Sequence, residues 1–281
     1  MKLKSFTFGI AIVAIIGSGI FSSCKKKEVE EKDTDTSEAV DQSLAAGIVN
    51  DMTSISDEAA KGNVSSFKAV ESNAILSTCA ALTFDTLLAA KTITVNFGAT
   101  NCLCNDGRNR RGALVLNFTG KYKDSLTVIT ITPQNYFVND NQVLGSKTIT
   151  NKGHNAAHHL VYEINANIQI VKADGSGTIT WQSNRQREWL TGENTATWID
   201  DTYAITGNAN GTKVNGNTYS VNITSPLIRN MAVSCRRYFT QGTVELKPSG
   251  KATRYIDYGN GACDNEAAVT INGNTYIITL P

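Results

Sequence analysis

Tryptophan and aspartate side chains occur close together in the middle of the chain. Trp181, Trp189 and Trp198 are the only tryptophans, and Asp200 and Asp201 follow the last of them. Paired acids beside indole rings are typical of a glycosidase cleft or of a platform on which sugar rings stack. The alternative interpretation is a strand-end loop with ordinary surface acids. We therefore treat all five as candidate ligand-facing residues and assign no catalytic residue.

The three histidines of the chain, His154, His158 and His159, also form a cluster. On a helix, the first two would share a face and could ligate a metal. However, Asn151-Lys-Gly153 before them is typical of a loop, and no glutamate lies between them. We expect a solvated loop here, and the sequence indicates neither a metal site nor a cofactor.

A cysteine with a different chemistry, Cys24, ends a short apolar segment. Basic residues at the N-terminus precede the apolar run from Phe8 to Phe21, and Ser22-Ser23 stand directly before the cysteine. This order is typical of a secretory signal peptide, and the run is shorter than the about 20 residues of a spanning helix. The pattern predicts a signal peptide over residues 1–23, cleavage before Cys24 and lipidation of that cysteine. An uncleaved membrane anchor is the alternative.

Export would place the other five cysteines where disulfides form. In a hairpin, residues equidistant from the turn face each other. Cys235 and Cys263 are equidistant from Ser249, which lies in the turn signal Pro248-Ser249-Gly250, so we expect them to pair.

A second pair is expected earlier in the chain. Cys79 and Cys102 are symmetric about Ala90-Lys91, and Cys104 is nearly as well placed as Cys102, so either is a candidate partner for Cys79. A zinc site is the weaker alternative because Cys-Leu-Cys is closer than the usual ligand spacing.

Two segments of different character precede the main domain. Residues 24–36 are mixed in charge with little to bury, which predicts a disordered tether. Residues 37–62 have a helical period in which Val40, Leu44, Ile48 and Met52 share one face and acidic residues take the other. We expect one N-terminal amphipathic helix, docked through its apolar stripe.

Residues 75–281 have the period of two that strands require. Alternating runs such as Thr92–Phe97 and Thr218–Thr224 are separated by Asn-Gly and Pro-Ser-Gly turn signals, which are typical of hairpins. We expect a mainly β fold of about twelve strands in a large antiparallel meander, open, curved or sandwich-like, because crossover helices that parallel pairing needs are missing from the pattern.

Three stretches of this domain resemble a family of lipoproteins from Bacteroidota: Thr92–Gly98 with the Cys-Leu-Cys that follows, Trp198–Gly207 and Ile256–Asp264. The likeness spans about residues 75–281. It implies lipoprotein export and an all-β domain, and it brings no catalytic residue, because the family has no assigned activity.

Together these patterns favour a non-enzymatic binding or envelope-structural protein. It would be held in the outer membrane by N-terminal acyl chains, at the cell surface or the periplasmic face. The expected partner is a glycan or an envelope protein, and a net charge of +1 argues against nucleic acid. The alternative is a glycan-binding or carbohydrate-active protein that uses the tryptophans and the acids beside them.

Overall fold

The computed structural model of the protein describes residues 33–61, 75–85, 91–195 and 197–281. The predicted signal peptide, Cys24 and most of the predicted tether lie outside these residues, as does the end of the predicted helix at Gly62. In the described part of the chain, no helix is long and apolar enough to cross a membrane.

The predicted fold class is confirmed: one helix near the N-terminus is followed by a single large sheet of fourteen strands. The helix α1 is Ser37–Lys61. The strands are β1 Ala81–Asp85, β2 Lys91–Asn96, β3 Cys102–Leu103, β4 Asn109–Phe118, β5 Val128–Val138, β6 Asn141–His154, β7 Leu160–Val171, β8 Thr178–Thr191, β9 Thr202–Thr212, β10 Thr218–Asn230, β11 Gln241–Pro248, β12 Arg254–Asn260, β13 Glu266–Ile271 and β14 Asn274–Thr279.

The sheet is an open antiparallel meander. Each strand pairs with the next one along the chain from β4 to β14, β2 pairs with β1 and β4, and the short β3 pairs only with β4. Chain neighbours therefore become sheet neighbours through hairpins, as the turn signals predicted.

One predicted loop is part of a strand. Asn151 and Gly153 lie inside β6, paired with Tyr162 and Val161 of β7. The register shifts by one residue between these two pairs, and Gly153 has a φ of 80°. The glycine thus allows a bulge that lets the strand continue to His154, where the sequence predicted a loop.

The helix α1 is buried on both of its faces. Its apolar residues Ile48 and Met52 are 4% and 0% exposed, as the expected docked stripe requires, but Asp51 and Asp57 on the acidic face are also buried. A helix buried all round must be surrounded by the sheet, and the inner side of that sheet must offer partners to its charges.

The partners of the two aspartates are arginines on strands that are far apart in the sheet. Arg110 of β4 donates to Asp51 at 2.6 Å, and Arg187 of β8 donates to Asp57 at 2.6 Å. Lys147 of β6 donates to the carbonyl oxygen of Val49 at 2.6 Å. Removing one partner of such a buried pair typically costs about 3–5 kcal/mol, because the other charge remains buried. The sheet therefore curves around α1 and binds it through polar contacts as well as apolar ones.

Candidate functional site

The predicted tryptophan platform does not form, because two of its three rings belong to the core. Trp181 is 0% exposed, and its indole N–H donates to Gln42 of α1 at 2.7 Å. Trp189 is 2% exposed and packs on the ring of Tyr203 at 5.5 Å. Both occupy inward positions of β8, so the expectation that they face a ligand was wrong.

The residues that follow have mixed surroundings. Trp198 is half-buried, with the guanidinium of Arg236 at 5.2 Å from its ring. Asp201 is buried and accepts the hydroxyl of Tyr203 at 2.9 Å, whereas Asp200 is exposed and accepts the hydroxyl of Thr195 at 3.0 Å. The two acids therefore serve the core and the surface respectively, rather than lining one cleft.

The expected pairing of Cys235 with Cys263 is confirmed, and Cys79 is bonded to Cys102, one of its two candidate partners. Cys235 and Cys263 are bonded with their Cα atoms 4.5 Å apart, just beyond the open end of the β11–β12 hairpin. The register shifts near that end because β12 carries an extra residue at Tyr258-Gly259, where Gly259 has a φ of 90°. The bridge therefore joins two loop residues and not two facing ladder positions.

The second bridge joins Cys79 to Cys102, with Cα atoms 5.8 Å apart. The β1–β2 ladder pairs Ala81 with Asn96, so its centre lies before the expected turn at Ala90-Lys91. Cys102 comes close to Cys79 because the chain turns back in the loop that follows β2. Among the cysteines that the structure describes, Cys104 is the free one, and burial raises the pKa of its thiol, so little thiolate forms at neutral pH.

The histidines lie where β6 turns into β7. A ring nitrogen of His154 lies 2.9 Å from the carboxylate of Glu193, and one of His159 lies 2.7 Å from that of Glu188. His158 is exposed with a φ of 61°. Among the residues that the structure describes, no group of three or more His, Cys, Asp or Glu side chains is arranged to hold a metal ion.

The outer side of the sheet carries a regular array that sequence analysis missed, which we call the amide face. It consists of the exposed or half-buried polar residues that point away from α1 on strands β6 to β10: Ser146, Thr148, Asn165, Asn167, Gln182, Asn184, Asn208, Asn210, Ser220 and Asn222. Their partners across each ladder are also members, so the array is continuous over five strands.

The amide face has two rows. In the first, Asn167 is paired with Gln182, Gln182 with Asn210, and Asn210 with Ser220. Neighbouring strands lie about 4.8 Å apart, and the second row follows about 6.8 Å further along the strands. The result is a lattice of side-chain amides and hydroxyls with fixed spacings in two directions.

The second row continues from the amides to an exposed aromatic ring. It runs through Asn184, Asn208 and Asn222 to Glu245 of β11, which is paired with Tyr255 of β12. Tyr255 is 54% exposed, although its neighbours in the chain, Arg254 and Ile256, are buried. The exposed ring of Tyr255 therefore lies on the same side of the sheet as the amides.

The amide face is partly self-bonded and partly open. Asn184 donates to Asn165 at 2.8 Å, and Asn165 donates to Glu163 at 3.3 Å. Within the described chain, the side chains of Asn208, Asn210 and Asn222 have no hydrogen bond to another protein group. Two shallow grooves on the face share Asn208 and Asn210, so the open amides lie where a ligand would have most contact.

The charges beside the amide face are paired. Glu163 lies 3.3 Å from Lys152, and Glu245 lies 2.8 Å from Lys247. Hydrogen bonds from Asn165 and then from Lys152 hold the pKa of Glu163 below its usual value, and the bond that Lys247 donates to Glu245 raises the pKa of Lys247. Each pair joins one acidic and one basic side chain, so the two pairs add no net charge to the amide face.

Comparisons of this chain with protein-family models, with curated proteins and with solved structures found no match.

Proposed function

We propose that the chain is a lipid-anchored, non-enzymatic binding protein of the outer membrane, and that its amide face binds a neutral glycan. The anchor rests on the sequence pattern that ends at Cys24. The ligand class rests on one observation: strand register places open amide side chains in two parallel rows beside an exposed tyrosine.

Neutral sugars and side-chain amides have matching chemistry. A sugar hydroxyl donates one hydrogen bond and accepts others, and an amide group does both with separate atoms. The strand spacing of about 4.8 Å is close to the length of one sugar residue in an extended chain. A polysaccharide laid across the strands would therefore meet a new amide at each residue, in the order Asn184, Asn208, Asn222.

The exposed ring of Tyr255 supplies the second element of sugar recognition. The C–H faces of sugar rings pack on aromatic rings, as apolar surface does in general. Tyr255 lies three strands from Asn208 in the same row, which is about 14 Å. This separation corresponds to a ligand of at least three sugar residues.

The acids beside the amide face favour binding over hydrolysis. Glycosidases need one carboxylic acid with a raised pKa to protonate the leaving group. Glu163 has the opposite perturbation, and Glu245 is bonded to Lys247. Glu163 and Glu245 are therefore suited to balancing the nearby lysines and orienting amide side chains.

The test is affinity electrophoresis of the purified protein through gels that contain soluble neutral polysaccharides: β-glucan, xylan, mannan or glycogen. We expect retardation by at least one of them. Asn208→Ala and Asn222→Ala should each weaken binding about 2- to 10-fold, the effect of one lost hydrogen bond. Tyr255→Ala should weaken binding to a similar extent, and Tyr255→Phe should retain it, because the ring face makes the contact.

The matched control is Asn260→Ala, which removes an exposed amide at the far end of β12. Its binding should equal that of the parent protein. Because the amide face is neutral, raising the salt concentration should leave the affinity nearly unchanged. Binding that disappears in high salt, or that survives all three alanine substitutions, would exclude the amide face as the glycan site.

A further inference from the structure

A small cavity between α1 and the sheet is lined by arginine side chains. Its volume is about 20 Å³, which is room for a single water-sized species. Arg108, Arg229 and Arg237 contribute guanidinium groups, and Asn50 of α1 and Tyr258 of β12 form other parts of the wall. The wall therefore combines several hydrogen-bond donors with apolar side chains.

Two of these donors are buried and have no partner in the protein. Arg229 is 5% exposed and Asn50 is 6% exposed. Arg229 Nε and Asn50 Nδ2 have no hydrogen-bond acceptor among the described residues. Buried donors without acceptors are rare in folded proteins, so both groups call for an acceptor inside the cavity.

The cavity also has more positive charge than its ion pairs balance. Arg108 and Arg110 share two carboxylates. Asp51 lies 3.3 Å from Arg108 and 2.6 Å from Arg110, and Asp106 lies 3.8 Å and 2.6 Å from the same arginines, so these charges balance. For Arg229 and Arg237, no described carboxylate lies within ion-pair distance.

Arg229 keeps its proton although no described carboxylate forms an ion pair with it. Burial, and then the nearby charge of Arg108, lower the pKa of Arg229 to about 10. At neutral pH it is still a cation, and its one side-chain bond, to the hydroxyl of Ser54 at 3.2 Å, goes to a neutral group. A buried cation without a counter-ion is strongly unfavourable.

We propose that this cavity binds one small monovalent anion of about the size of chloride, held by Arg229 Nε, Asn50 Nδ2 and the adjacent guanidinium groups. A water molecule would supply acceptors to the same donors but would leave their charge unbalanced. A polyatomic anion such as gluconate exceeds the volume. Arg237 and Tyr238 of the wall are half-buried, so an ion has a short path from solvent.

The first experiment measures the melting temperature of the protein in sodium chloride and in sodium gluconate at equal ionic strength. With chloride in excess of its Kd, Tm should rise by about 3–5 °C for each tenfold increase in concentration, because only the folded state binds the ion. Gluconate should give a much smaller rise. Equal rises in the two salts would overturn the proposal.

Variants separate the cavity from general salt effects. Arg229→Met should abolish the difference between chloride and gluconate, whereas Arg111→Gln, which removes a partly exposed arginine paired with Asp140, should retain it. The second experiment does not depend on a variant that folds: crystals of the parent protein in sodium bromide should show an anomalous peak beside Arg229 Nε. Density for water alone at that position would refute the proposal.

Discussion

The buried carboxyl group of Glu58 should make the protein less stable as the pH rises toward neutrality. Glu58 lies in the last turn of α1 and accepts the backbone N–H groups of Ile75 at 2.8 Å and Leu76 at 3.2 Å. Burial raises its pKa from 4.5 to about 7 in spite of these bonds. The helix C-terminus, with its partial negative charge, also disfavours a carboxylate there.

The direction of the effect follows from proton linkage. Between pH 4.5 and pH 7 the folded protein retains a proton on Glu58 that the unfolded chain has released. The folded state binds more protons in this window, so the free energy of unfolding falls as the pH rises. A shift of this size corresponds to a loss of up to about 3 kcal/mol across the window. Asp33, Asp106 and Glu163, whose pKa values are lowered, titrate at lower pH and do not contribute here.

The assay is urea unfolding followed by circular dichroism at a series of pH values. Glu58→Gln keeps one acceptor oxygen and removes the titration, so its stability should change less with pH in this window than that of the parent protein. Glu266→Gln is the matched control, because Glu266 is exposed. The reasoning fails if the parent protein is equally stable at both ends of the window, or if Glu58→Gln keeps the full slope.

Three further outcomes are expected. Ile48→Asp should lower Tm by at least about 6 °C in a calorimetric scan, because Ile48 is 4% exposed in α1 and an unpaired buried charge costs about 3 kcal/mol or more; an unchanged scan would mean a free helix. Non-reducing peptide mapping should find Cys79 joined to Cys102 and Cys104 alkylated only after unfolding, and a Cys79–Cys104 peptide would contradict this. Cys24→Ala should abolish incorporation of labelled fatty acid, and normal labelling would disprove lipidation.

Sequence periodicity predicted the fold class because strands and hairpin turns are local features. Alternation marked most of the strands. Symmetry about turn signals suggested Cys235–Cys263 and left two partners open for Cys79, although neither bridge joins facing ladder positions. The last residues of β6 were predicted as a loop because Asn151 and Gly153 have the composition of one, and only the pairing with β7 shows that a bulge lets the strand continue. Bulges of this kind depend on the partner strand, which lies further along the chain.

The inner and outer sides of β8 could not be assigned from its sequence. Trp181, Arg185, Arg187 and Trp189 occupy the same side of the strand, because their positions differ by even numbers. Aromatic residues favour the core and arginines favour the surface, so the usual rule gives contradictory answers for one set of positions. The structure places all four inside. Asp57 of α1 accepts from Arg187, and the ring of Trp181 packs on Arg185.

The same ambiguity concealed the amide face. Asn165 and Asn167, and likewise Asn208 and Asn210, lie two positions apart in the sequence, which indicates a polar side of each strand. Whether these pairs meet depends on register across several hairpins, and a shift of one residue in any of them would break the rows. Local sequence carries no such information.

The polar interior gives α1 a defined position that apolar packing alone would not give. Alanine and aliphatic residues recur along the whole helix, so a shift by one turn, about 5.4 Å, would still bury an apolar stripe. Such a shift would separate Asp51 from Arg110 and Asp57 from Arg187 at the same time, so two buried carboxylates of α1 would lose these partners. The two pairs lie six residues apart on α1, about 9 Å, and on strands that are distant in the sheet. We infer that they fix the helix both along its axis and around it, and that the arginines of β4 and β8 are buried for this reason.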